Sequence, residues 1–187
     1  MASLRSALLA AAIGGMTLVA AATYLERQAG QKIIAAVGEQ ELTLAAAAQT
    51  YVKNDAQAAG GIVDIGTLSL TNGQYGALPA SVLSSNNLVS TDYTGNLANG
   101  GQPTIVLRNE YGGIAIVVAD SVSEPDDTAY AFLEQSAYLG KGTPNGGLFA
   151  LGGMFQGLLS DYGLAPPNNG ATFIPLAVSW VSSQDIS

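Results

Sequence analysis

From Ser6 to Tyr24 the chain carries no charged residue, reading Ser-Ala-Leu-Leu-Ala-Ala-Ala-Ile-Gly-Gly-Met-Thr-Leu-Val-Ala-Ala-Ala-Thr-Tyr. A helix of about 20 such residues is about 30 Å long, the thickness of bilayer hydrocarbon. Ala and Gly predominate over Leu and Ile, and small residues let helices approach closely, so the run suits helix-helix assembly as well as a membrane. It also fits a cleavable secretory signal, with Arg5 as the positive residue and Ala20 to Ala22 as a peptidase site.

Helical character does not stop at Tyr24. No Pro occurs between Tyr24 and Asn54, and Ile33, Val37, Leu44, Ala48 and Tyr51 recur at helical spacing, while Gln28, Lys32, Glu39, Thr43 and Thr50 line another face. The pattern predicts one helix from Ala2 to about Asn54, approaching about 80 Å at about 1.5 Å per residue. Its apolar half is residues 1–25 and its amphipathic half 26–55, with a globular domain over 56–187. Such a helix needs an external partner for its first half and a domain to cover part of its second. Gly14 and Gly15 are its weakest point, where it can loosen or admit a neighbour.

Charge is divided unevenly. Arg5, Arg27, Lys32 and Lys53 balance Glu26, Glu39, Glu41 and Asp55, so the whole net charge of −8 falls after Asp55, where the cations are Arg108 and Lys141. An acidic distal portion repels phosphate backbones, so no nucleic-acid partner is expected. The chain has no Cys and no His, which removes disulfides, thiolate nucleophiles, thiolate or imidazole metal sites and imidazole acid/base catalysis. Neither an enzyme nor a bound cofactor is expected.

The distal part reads as α+β with an antiparallel sheet. Residues 56–61 read as a small-residue hinge, and 62–70 as a short strand or irregular loop. Residues 71–101 read as mostly loop, with Pro79 opening a helical turn to Leu83. Residues 104–108 and 114–118 form β-branched runs around a Gly-containing loop, a hairpin signal. Asp126 or Asp127 can cap a helix from Thr128 to Leu139 that ends at Gly140. Residues 148–162 have helical spacing weakened by glycines, and 171–181 read as a strand that Pro175 places at an edge or bulge.

An apolar start, an amphipathic helix ending near Asn54 and a Gly/Asn-rich domain together resemble the type IV pilins. The stretches Ala46-Ala47-Ala48-Gln49-Thr50-Tyr51-Val52-Lys53-Asn54 and Leu159-Ser160-Asp161-Tyr162-Gly163 look most like the type IVb and conjugative-pilus branch, including its shufflon-type tip proteins. The resemblance implies a prepilin whose short basic leader is removed to leave Met1 first. Its apolar half-helix would hold the subunit in the inner membrane and then, through the pilus assembly machinery, bundle with copies of itself in a helical filament at the cell surface. Leu4, Leu8, Ile13 and Leu18 would pack the filament core, and Gly14 and Gly15 would let the helix deform. The chain departs from the family in having Arg5 where most pilins have Glu, and in lacking the C-terminal disulfide. Arg5 must then snorkel to lipid phosphate, reach carbonyls or meet water, and it is the expected electrostatic contact at the N-terminus.

Three functions remain open on these residues: a filament subunit, a minor or tip pilin acting as an adhesin, and a membrane-anchored extracytoplasmic domain that does not polymerise. Asp120, Glu124, Asp126 and Asp127 are the candidate Ca²⁺ ligands, although they lack EF-hand spacing and acids also favour a helix N-terminus. Paired carboxylates for glycoside hydrolysis have no fixed separation here. Gly140-Lys141-Gly142-Thr143 lacks the order of a phosphate loop and reads as a turn. Tyr75, Tyr93, Tyr111 and Tyr162 sit in predicted loops, as core, subunit contact or sugar surface, and Trp180 is expected in the core.

Overall fold

A 52-residue helix, α1 (Leu4–Asp55), opens the chain and runs unbroken through Gly14 and Gly15. The structure, a computed structural model, describes residues 4–90, 95–122, 139–150, 155–167 and 173–186, with side chains from residue 22 onward. After α1 come β1 (Ala56–Ala59), β2 (Ile62–Ile65), β3 (Leu68–Thr71), β4 (Tyr75–Leu78) and α2 (Ala80–Ser85), then β5 (Pro103–Glu110) and β6 (Gly113–Asp120). They are followed by β7 (Leu139–Gly142), β8 (Gly147–Ala150), β9 (Phe155–Leu158), a 3-10 turn (Leu159–Tyr162), β10 (Ile174–Ser182) and a last 3-10 turn (Ser183–Asp185).

Among the described residues the strands form two antiparallel sheets, a small one ordered β1-β2-β3 and a larger one ordered β4-β5-β6-β10-β7-β8-β9. The predicted hairpin is its centre: β5 and β6 pair from Pro103↔Asp120 to Glu110↔Gly113. Tyr111 and Gly112 make the turn, and Gly112 takes φ 102, a conformation that a side chain would strain. Every residue of β6 is buried. Its Val/Ile/Ala run is the composition expected of a strand covered on both faces. Ile114, Ile116 and Val118 meet α1, while Ala115, Val117 and Ala119 belong to a second core with Leu148, Ala150, Leu159 and Tyr162.

That second core exists because the sheet curls. The 3-10 turn after β9, at one end of the strand order, contacts β4 and β5 at the other. The curl brings the two ends together over the face that α1 leaves free.

Several expectations need correction. Residues 56–61 are not a hinge, since Ala56 is buried and β1 pairs with β2 through a Gly60-Gly61 turn. The described part of residues 71–101 is mostly loop, as expected, but it also contains β4, whose short Tyr-Gly-Ala-Leu run is stabilised by pairing with β5 rather than by its own propensity. The turn opened by Pro79 is present as α2. Within residues 148–162 the described residues form β8, β9 and the 3-10 turn rather than a helix, and pairing of β8 with β9 holds Gly157 in extended backbone; residues 151–154 lie outside the described residues. Gly140 and Lys141 lie in β7, not in a turn. Pro175 lies in the central strand β10, before the β6 ladder begins at Leu176. The predicted helix over 128–139 falls outside the described residues except for Leu139, which starts β7.

Candidate assembly surface

The described part of α1 changes character at Gly30. Residues 22–29 are all exposed, including Tyr24 and Leu25 at 62% and 63%. Within this stretch Gln28 Nε2 donates to Tyr24 Oη, one turn away, at 2.7 Å. From Ile34 onward one stripe is buried: Ile34, Val37, Leu44, Ala45, Ala48, Tyr51 and Val52. With the buried Gly38 and Glu41 they follow the i, i+3, i+4, i+7 spacing of one helical face. Ile33, expected on that face, is 43% exposed, and its neighbour Ile34 takes the core position. The sequence period admits either residue, and contact with the domain selects one.

Polar contacts fix the seated half to the domain. Gln40 Oε1 accepts from the Ala98 amide at 2.7 Å, and Gln49 Nε2 donates to the Trp180 carbonyl at 2.8 Å. Lys53 lies 3.8 Å from Asp185. Trp180 is not in the core: it is 38% exposed and, with Leu42, Ala45, Ala46 and Gln49, lines an apolar groove between α1 and β10.

Leu4, Arg5, Leu8, Ile13, Gly14, Gly15 and Leu18 lie in the part of α1 whose side chains are outside the described residues. Glu124, Asp126, Asp127 and Tyr93 are also outside them. Among the described residues no helix is long and apolar enough to cross a membrane, and no cluster of acidic residues could hold a metal. Asp120 is buried, and its two oxygens accept from Asn99 Nδ2 and from the Val122 amide at 2.9 Å.

Two clusters were not singled out by sequence. The first is a clasp where the two ends of the curled sheet meet. Arg108 Nη1 lies 2.9 Å from Glu110 and 3.9 Å from Asp161, and its guanidinium carbon is 5.4 Å from the centre of the Tyr162 ring. Tyr162 Oη donates to Glu110 Oε1 at 3.0 Å, and burial followed by the charge of Glu110 pushes the phenol well up. Tyr75 packs over Gly163, where a side chain would strike its ring. Of the loop tyrosines, Tyr162 is thus buried, Tyr75 is half-exposed in β4, and Tyr111 stands in solvent at 96% exposure.

The second is Glu41, on the buried stripe of α1 at 0% exposure, with neither carboxyl oxygen hydrogen-bonded. Burial, then the charge of Asp120, raise its pKa well above the usual carboxylate range; the Asp120 backbone amide opposes this without closing a hydrogen bond. An acid interrupting an apolar stripe between Val37 and Leu44 was the available signal. The chain matches no protein-family model, no curated protein and no solved structure.

Proposed function

We propose that this protein is a non-enzymatic structural subunit of an extracellular filament of the type IV pilin kind. In this reading copies of the chain associate through the apolar first half of α1, drawn from an inner-membrane pool by the pilus assembly machinery. One observation carries it: α1 continues beyond the domain as a helix whose described outer residues, 22–29, are all exposed, Tyr24 and Leu25 among them. An isolated helix of that kind is marginal in water and gains most of its stability from packing. The uncharged, small-residue run that precedes it suits close packing against identical helices.

The test is to count this chain in purified, sheared filaments by quantitative mass spectrometry. Stoichiometric abundance is the expected result. A few copies at one end would replace the proposal with a tip adhesin, and absence would leave an anchored domain that does not polymerise.

A further inference from the structure

Glu41 is buried on α1, which packs against β6, with Asp120 at the end of β6 as its charged neighbour, and its surroundings leave it no easy relief. It is fully buried, and neither oxygen reaches hydrogen-bond geometry with a donor among the described residues; the Asp120 backbone amide is directed at it and offers only partial relief. An unpaired carboxylate in such a place is among the costliest groups a core can hold, and a neutral carboxylic acid is far cheaper. Asp120, the titratable group facing it, cannot swing away. Asn99 Nδ2 and the Val122 amide hold its carboxylate, and Gly101 lies so close that a side chain there would run into it.

No other described charge offsets the acid. The segment 95–102 and α2 contain no ionisable side chain, and neither does β10. On β5, Arg108 and Glu110 are taken up in the clasp. On α1 the nearby Glu39 is exposed. Asp92, Glu124, Asp126, Asp127 and Glu134 are outside the described residues.

We propose that Glu41 is a proton-operated latch on α1: protonated, it lets the helix seat against β6 beside Asp120; deprotonated, it is driven toward water and loosens that seat. This holds whether or not the chain polymerises. The sign follows from linkage. A carboxyl whose folded-state pKa is raised binds its proton more tightly in the folded form. The seat is therefore firmest below the unfolded value of about 4.3 and weakens as pH rises through the folded value.

Trp180 is the chain's single tryptophan, and its carbonyl holds Gln49, about two helical turns beyond Glu41. Its fluorescence therefore reports whether α1 is seated. The experiment follows acrylamide quenching of Trp180 and the melting temperature of the full chain from pH 5 to pH 9, for wild type and Glu41→Gln. In the wild type the quenching constant should rise by at least about twofold and Tm should fall by about 5 °C, whereas Glu41→Gln should stay nearly flat in both. If Glu41→Gln does not fold, Glu41→Leu, which also removes the charge, takes its place. Parallel profiles for wild type and variant, or a flat wild-type profile, would overturn the latch.

Discussion

Arg108 is one of two cations that follow Asp55, and the structure places it where the two ends of the curled sheet meet. Its guanidinium serves Glu110 and Asp161 and lies over the buried ring of Tyr162, so one side chain joins β5 to the 3-10 turn after β9. Removing it leaves two carboxylates facing each other beside a partly desolvated phenol. Arg108→Ala should therefore lower stability by about 1–3 kcal/mol, the range for leaving a hydrogen-bond partner unsatisfied, as read by urea denaturation. The loss should shrink in high salt, because the pair is partly exposed and screened. A loss below about 0.5 kcal/mol would mean that apolar packing of the second core alone closes the curl.

At the scale of elements, α1 is two objects in one helix. Its second half is part of the domain: Ile34, Val37, Leu44 and Val52 share one core with Ile105, Leu107, Ile116 and Val118 from the sheet. Burying each such side chain contributes about 1.5–3 kcal/mol relative to exposure. Leu44 is 2% exposed at the middle of the stripe. Leu44→Ala should cost about 2–5 kcal/mol in chemical denaturation, whereas Leu25→Ala, at an exposed position, should change little. Equal effects at the two positions would contradict the division of the helix.

For the whole molecule, that division predicts that the domain does not need the outer helix. A chain lacking residues 1–29 should keep its sheet signature in circular dichroism and a cooperative melt, since the described part of the deleted segment is exposed throughout. Loss of the melt would show that the outer helix contributes to folding of the single chain. The long helix and the central hairpin were legible in advance because both rest on local pattern, an uninterrupted helical period in one and β-branched runs around a Gly turn in the other. Tyr75 to Leu78, the strands within 148–162 and the central place of Pro175 were not, because strand partners far away in sequence decide them. The same holds for the site residues: Ile33 and Ile34 differ only in which one meets the sheet, and Trp180 faces a groove rather than the core. The sequence by itself determined an uncharged run leading into an amphipathic helix, the acidic distal portion and the absence of Cys and His, all properties of composition and short-range order. Only the tertiary structure decided that the sheet curls onto an Arg108 clasp and that Glu41 is sealed against Asp120, because burial and charge proximity arise between segments that the chain holds far apart.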